Sequence, residues 1–438
     1  MRSGLLGSVQ ARVREVRDSS STRASLLIGF SMGASGLGYF VFGLLPGTKY
    51  GADALSSLSL WQAISFGFGL VISSPLNGVI YNELLHANCD FGEANFQRIW
   101  SATRTIIRWT SVVIVATLLL FNSSLFDSDV LLALLAGVSI ILQIFASIQR
   151  AVFAAKGEWG RFSTQFLVEG LGRVVLSGAV VQYSSSLRLL IGANVLSQIL
   201  AIIAPDYRTR WLPRLSAIAK PNYRSVFAAI APYLLAGFTI QSTLSMTPFY
   251  GRTFAQVAPV GLAALGGLVQ ILRIPTTLTV SIALPRVRQN ADLLRSGHLQ
   301  QAQTAVTKTA FALGVVWFVY GAAVFAGYIV FRDRFTYGTQ MTSAVLIPAT
   351  FVCVVGPVAT YLHSIYMFQR RFASSTFVWA IALLVYVAIL VFWQNSVSAV
   401  LVAVCCSLTM AIVLLSVLIR RGIARWVSDS GPTSEGSR

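Results

Sequence analysis

Residues 50–75 read YGADALSSLSLWQAISFGFGLVISSP, and residues 250–275 read YGRTFAQVAPVGLAALGGLVQILRIP. At an offset of two hundred residues, Tyr50-Gly51, Gly67 and Pro75 fall on Tyr250-Gly251, Gly267 and Pro275 without a gap. Apolar residues fill most of the space between them in both copies. Farther along, Arg161-Phe162 and Arg371-Phe372 match at an offset of two hundred and ten. Each pair follows a long apolar run and opens another. The ordered series carries more weight than any single identity, and it describes a duplicated unit.

Composition fixes the solvent of that unit. Hydrophobic residues make up 55% of the 438 and charged residues 11%, with a mean hydropathy of +0.71; a soluble domain carries about 25% charged residues. The apolar residues come in runs of roughly twenty, enough to cross ~30 Å of hydrocarbon as helices. Twelve such runs are expected, at 24–45, 54–80, 105–121, 129–149, 163–183, 188–204, 226–248, 257–284, 308–331, 342–368, 373–393 and 398–419. The fold class is therefore all-α and polytopic. The sixth run is short; the second and eighth are long, which suits tilt or an extension beyond the bilayer.

Basic residues set the orientation. With the N-terminus inside, and with Arg108, Arg188 and Lys308 near the ends of their runs counted with the adjoining loops, the cytoplasmic segments hold twenty-six Lys and Arg and the outer loops five, while Arg173 and Arg273 lie within spans. This positive-inside pattern holds over every loop and accounts for most of the +18 net charge. The charge is dispersed among short loops, so anionic lipid headgroups are the expected partner and nucleic acid is not. Residues 1–23 carry Leu5, Leu6, Val9, Val13 and Val16 at helical spacing among arginines, which suits a short interfacial helix or a basic tail. The run from Ala24 reads as the first span rather than a signal peptide, because no small-x-small cleavage site follows it. Residues 428–438, rich in Ser and Gly, read as a disordered cytoplasmic tail.

Catalytic and metal signatures are missing. Cys89, Cys353, Cys405 and Cys406 form no CxxC pair, and His86, His298 and His363 are scattered without ligand spacing. There is no nucleophile elbow, phosphate-binding loop or HExxH. Gly33, Gly36 and Gly38 sit inside the first span, where small residues allow close helix packing. No extramembrane loop is long enough for a catalytic domain. An enzyme is not expected, and neither is a cofactor or a metal site.

The halves divide at Pro205–Arg224, an inner loop with three prolines and five basic residues. An N-terminal lobe over 1–220 and a C-terminal lobe over 221–427 each receive six spans. An even number of spans puts both copies the same way up, so the pseudo-two-fold axis lies along the membrane normal. A duplicated membrane unit is the usual plan of a secondary transporter, with the substrate path between the halves.

Two six-span lobes fit either major facilitators or the MOP superfamily of multidrug, oligosaccharidyl-lipid and polysaccharide exporters. The Gly-x-x-x-Asp-Arg-x-Gly-Arg-Arg loop of major facilitators is absent after the second span, which reads Glu83-Leu-Leu-His-Ala-Asn-Cys-Asp-Phe-Gly-Glu-Ala-Asn. The chain instead resembles the MOP polysaccharide exporters over nearly its whole length. The resemblance lies in Leu272-Arg-Ile-Pro275, Ile282-Ala-Leu-Pro-Arg286, Gln149-Arg150, Lys156-Gly-Glu-Trp-Gly-Arg161-Phe162 and Phe166-Leu-Val-Glu169-Gly-Leu-Gly-Arg173. It implies a flippase for a lipid-linked (polyprenyl-diphosphate) oligosaccharide in the bacterial inner membrane, both termini cytoplasmic, working beside other envelope polysaccharide biosynthesis proteins. The runner-up is a cation-coupled multidrug antiporter of the same superfamily. A third reading is a transport-inactive membrane interaction protein.

Ionisable residues at membrane depth are costly, about 2.5–3.5 kcal/mol on insertion scales, and face a cavity or a partner. Glu169 and Arg173 are four apart on one helix and share a face. They make either a mutual ion pair or a polar wall of the cavity. Arg273 has no acidic neighbour in its span, and Ser73 takes its place in the first half. The resemblance implies a cationic cavity for the diphosphate, which a guanidinium grips bidentately; a cross-bundle pair with Glu169, or a side chain stretching to an interface, is the alternative. Gln270, one turn earlier, is a candidate donor beside it. Pro75 and Pro275 are expected to kink their helices. The first and seventh spans are the expected gates, with Gly29, Gly33, Gly36, Gly38 and Gly43 in one and Pro232, Gly237 and Pro248 in the other.

Overall fold

The computed structural model describes residues 20–44, 50–86, 90, 94–205, 298–330, 342–368, 372–393 and 397–429, with scattered helical positions between 230 and 293. The regular structure of the described residues is entirely helical, without a strand. The helices are α1 (Ser20–Leu44), α2 (Ala52–Gln62), α3 (Gly69–His86), α4 (Ala94–Leu120), α5 (Asn122–Leu125), α6 (Val130–Lys156), α7 (Trp159–Tyr183), α8 (Leu187–Ile203), α9 (Leu299–Val330), α10 (Ser343–Phe368), α11 (Phe372–Phe392) and α12 (Val397–Asp429). A π-helical segment, Ala63–Phe68, joins α2 to α3 as one span. Nine spans among the described residues are long and apolar enough to cross a bilayer, and Leu187–Ile203 is a shorter apolar helix. These ten correspond to ten of the twelve apolar runs. The runs at 226–248 and 257–284 lie mostly outside the described residues.

Local chemistry sets the boundaries. Asp129 caps α6 by accepting from the Leu131 and Leu132 amides at 3.1 and 3.2 Å. The same helix stops at Gly157, whose φ of 74° closes the last turn in the left-handed region. Ser186 caps α8 through the Leu189 amide. The Arg161-Phe162 pair lies in the first turn of α7, and Phe372 begins α11.

The duplication is visible in the packing. In the first half α4 packs on α6, α6 on α8, and α7 on α8; in the second α9 packs on α10, α10 on α12, and α11 on α12. These are the same three pairings, third with fourth, fourth with sixth, and fifth with sixth span. The buried apolar residues among those described form two clusters. One holds Trp61, Phe66, Trp100 and Phe153. The other holds Trp317, Tyr361, Tyr366 and Trp379. Ile230 joins the first cluster, and Leu278 packs against both.

One helix crossing positions everything that follows. α1 and α7 meet backbone to backbone. A Cβ at Gly38 would lie 2.6 Å from the Gly170 carbonyl oxygen, and one at Gly170 would lie 2.5 Å from that of Ala34. Lipid supplies no hydrophobic force between helices, so close van der Waals contact between small residues holds such a crossing. Gly33 and Gly36 serve a different neighbour. Added Cβ atoms there would sit 3.8 Å from Leu278 and Ile274, across to the eighth span. Pro75 lies inside α3, and Pro248 and Pro275 are buried at helical positions.

Candidate functional site

The α1–α7 crossing sets Tyr39 over Arg173. The Tyr39 ring lies 3.5 Å from the Arg173 guanidinium carbon and packs edge-on against Phe66 of the π segment. Glu169, one turn before Arg173 and near the middle of α7, is the centre of the network. Its Oε1 accepts from Arg173 Nη2 and from the Tyr39 hydroxyl, the latter at 3.4 Å. Its Oε2 accepts from Arg150 Nη2 at 2.6 Å. Arg173 Nη2 also donates to the Tyr39 oxygen at 2.7 Å, and its Nε donates to Asn194 Oδ1 at 2.6 Å.

Arg150 belongs to α6, not to a cytoplasmic loop. The apolar run ends at 149, but the helix continues to Lys156 and carries Arg150 inward, with its side chain 16% exposed. Its Nε donates to Gln165 Oε1 at 3.1 Å, and its guanidinium carbon lies 3.9 Å from the Phe166 ring centre. Gln165 in turn donates to Gln149, which donates to the Ile202 carbonyl. A chain of hydrogen bonds thus ties α6, α7 and α8 together behind the ion pairs. The signal for Arg150 was its place one turn before Ala154 on a helix whose C-cap is Gly157; the run of hydropathy alone ends too early.

The cluster opens on a cavity of about 100 Å³. Arg150 and Glu169 reach it, with Ser35, Gly36 and Tyr39 from α1, Leu70 and Ser73 from α3, Gln143 and Ser147 from α6, and Ile274 from the eighth span. Arg173 is fully buried behind Tyr39, so among the described residues Arg150 is the cation that faces the cavity. Gln143 donates to the Ser65 carbonyl of the π segment, and Ser147 to that of Ser73, both at 3.2 Å. π-helical turns recur at functional sites, and here Gln143 supplies a side-chain donor to one of the segment's carbonyls.

Of the expected site residues, the structure brings Glu169 and Arg173 together as an ion pair and adds Arg150 and Tyr39 to them. Arg273, Gln270 and Pro232 lie outside the described residues; Ile274, beside Arg273 in sequence, lines the cavity. No group of three His, Cys, Asp or Glu that could hold a metal ion occurs among the described residues.

Comparison with solved structures gives the fold a setting. The chain is similar to an outward-facing multidrug resistance MATE family transporter of the MOP superfamily, with a TM-score of 0.67 and 15% identity over 95% of this chain and 98% of that one. It is similar to a MOP superfamily transporter from Pyrococcus furiosus, described as having a binding pocket of reverse polarity that suggests a different function (TM-score 0.66, 14% identity, 94% and 97% covered). An inward-facing MATE family transporter matches at 0.60, with 13% identity over 93% and 99%. At such identities the likeness is one of fold: a multi-pass, all-α membrane protein built on the twelve-helix plan of these transporters. No protein-family model and no curated protein matches the chain.

Proposed function

We propose that the protein moves a polyprenyl-diphosphate-linked oligosaccharide, or a related polysaccharide precursor, from the inner to the outer leaflet of the bacterial inner membrane. The observation that carries this reading is the charge of the cavity in the first lobe. Two guanidiniums surround one carboxylate, leaving a net positive site between the helices, and Arg150 faces the opening. The remaining polar liners are hydroxyls and an amide, from Ser35, Tyr39, Ser73, Ser147 and Gln143. Such a lining suits a phosphate joined to a sugar. A phosphate takes charge-assisted hydrogen bonds from Arg, and sugar hydroxyls exchange hydrogen bonds with Ser, Tyr and Gln. Alternating access is the movement supported by the fold, whose solved relatives include outward- and inward-facing forms.

The second reading, a cation-coupled multidrug antiporter, draws on the multidrug resistance transporters of the same fold. Such coupling needs a membrane carboxylate that takes up and releases a cation. Glu169 has both oxygens engaged by arginines, which occupies them and repels a further cation. Reconstituted protein should expose a fluorescent polyprenyl-diphosphate disaccharide to an impermeant glycosidase added outside the liposomes. Arg150→Gln should abolish most of that exposure while the protein remains monodisperse. Undiminished exposure would remove the cavity from the substrate path. Proton-driven uptake of a cationic dye, with no movement of the saccharide, would transfer the assignment to the antiporter.

A further inference from the structure

The second lobe carries a cleft that the transport site does not use. α9 and α12 both pack along α10 but barely touch one another, so a groove opens between them with α10 as its floor. It measures about 290 Å³. α9 lines it with Gln303, Val306, Thr307, Ala310 and Phe311, a stripe at spacings of three and four. Val358 and Leu362 form the floor, and Ile412, Ser416, Ile419 and Arg420 of α12 form the other wall.

The groove is polarised along its length. Gln303 and Thr307 on one wall and Ser416 and Arg420 on the other lie at the end that the basic-residue count assigns to the cytoplasm. Phe311 and Ile412 lie deeper. Eight residues of helix, Gln303 to Phe311 or Ile412 to Arg420, span about 12 Å, less than one leaflet. Beside the cleft the helices are apolar and exposed, with Val315 and Val319 on α9 and Val413 and Val417 on α12, so the groove opens sideways to the bilayer. Charge is of one sign. Arg420, Arg421 and Lys308 are exposed there, no ion pair engages Arg420 among the described residues, and the three helices hold a single acidic residue, Asp429.

We propose that this cleft is a binding site for an anionic glycerophospholipid of the inner leaflet, its phosphate on Arg420 and one acyl chain along the groove. The chain gains little by leaving the surrounding lipid, since hydrocarbon is as apolar as the groove. Selectivity therefore rests on the headgroup, held by Arg420 with Ser416, Thr307 and Gln303 as hydrogen-bonding neighbours. The site is independent of the proposed substrate and lies in the other lobe from Arg150.

Native mass spectrometry of the purified full chain, titrated with phosphatidylglycerol or phosphatidylcholine of matched acyl chains, tests it. Wild type should retain phosphatidylglycerol in preference. Arg420→Gln should lower that retention about tenfold, the scale of one charge-assisted hydrogen bond. Ala310→Phe, which fills the groove without touching charge, should lower it as well. Arg104→Gln, an exposed arginine of α4 in the other lobe, should not. Equal retention of the two lipids would overturn the site, as would an Arg104→Gln effect as large as that of Arg420→Gln. So would unchanged binding in Ala310→Phe, which would place the lipid elsewhere. Displacement of phosphatidylglycerol by an equal concentration of undecaprenyl phosphate would assign the groove to a polyprenyl carrier instead.

Discussion

Replacing Glu169 by Gln tests the core of the candidate site. The carboxylate holds two arginines, Arg173 with a fully buried side chain and Arg150 with one 16% exposed. Gln keeps the volume and one acceptor but removes the charge. Arg173 is left uncompensated in a dry setting, with Asn194 and Tyr39 as its remaining partners. Removing one partner of a buried ion pair costs about 3–5 kcal/mol, so Glu169→Gln should markedly lower the yield and melting temperature of monodisperse protein. A double-mutant cycle then divides the effect. Adding Arg173→Gln should restore more than adding Arg150→Gln, because the more deeply buried charge suffers most from losing its partner. Coupling between neighbours in one network falls within about 0.5–3 kcal/mol, and the Glu169/Arg173 pair should lie at the upper end. Neither double change should restore wild-type stability, since each leaves one arginine facing a neutral Gln. Melting by fluorescence-detected size exclusion provides the measurement. A Glu169/Arg150 coupling equal to or larger than that of Glu169/Arg173 would refute the burial argument. A stable Glu169→Gln protein would refute the network itself.

Further outcomes follow from other parts of the molecule. Gly170→Ala sets a Cβ against the α1 backbone and should cost about 1–3 kcal/mol as overpacking; Gly178→Ala, with open space around it, should be close to neutral in the same melt. Arg273→Gln should leave the protein inserted but unable to restore polysaccharide export, whereas Arg273→Lys should retain part of it, the charge surviving without the planar fork; full export by Arg273→Gln would exclude Arg273 from the substrate path. In a cysteine-free background, Ser185→Cys should react with an impermeant thiol reagent added outside and Ser216→Cys should not; the reverse pattern would invert the topology. Burial pushes the Asp129 carboxyl up, but Arg188 and the Leu132 and Leu131 amides outweigh it and hold it below the usual range. Its contribution is thus complete above about pH 4, the unfolded value, and is lost as pH falls through the lower folded one. Asp129→Ala should cost ~1 kcal/mol as a lost cap and Arg188→Ala much less, Arg188 being 60% exposed.

Much of the fold was legible because hydrocarbon is a strict solvent. A run of apolar residues long enough to cross has few other uses, so ten runs matched described helices in place and order. The duplication was legible from a handful of residues, and the recurrence of the same helix pairings gives it a physical content that identities alone lack. Hydropathy was a poor guide where a helix outlasts its apolar run. Arg150 follows directly on Gln149 at the end of such a run, and charge at that position reads as the start of a loop. The helix extends about two more turns to Gly157, and Arg150 turns back to Glu169. Sequence spacing revealed the partner four residues away on the same helix. It could not reveal the one on α6, nor Tyr39 on α1, because neither has any fixed separation from Glu169.

The placement of Tyr39 shows why the glycines of α1 belong to the site as much as to the fold. Tyr39 reaches both Arg173 and Glu169 only because Gly38, the residue before it, lets α1 lie directly on Gly170 of α7. Gly170 is itself the residue after Glu169, so the closest approach of the two helices sits beside the charge cluster. On the other side of α1, Gly33 and Gly36 face Leu278 and Ile274 of the eighth span. α1 therefore has one face locked to the first lobe at backbone distance and another in ordinary side-chain contact with the second half. Contacts of the second kind separate at far lower cost than those of the first. A movement of one lobe against the other would break the contact with Ile274, itself a wall of the cavity, and leave Tyr39, Arg173, Glu169 and Arg150 travelling as one unit. In such a movement the positive site stays assembled while access to it changes, which alternating access by a rigid lobe requires. Bulk at Gly36 tests this asymmetry against bulk at Gly38. Gly36→Val should leave melting nearly unchanged while slowing translocation, whereas Gly38→Val should unfold the first lobe. Equal loss of stability in both would mean that the two faces of α1 are held alike, and the lobe would not move as proposed.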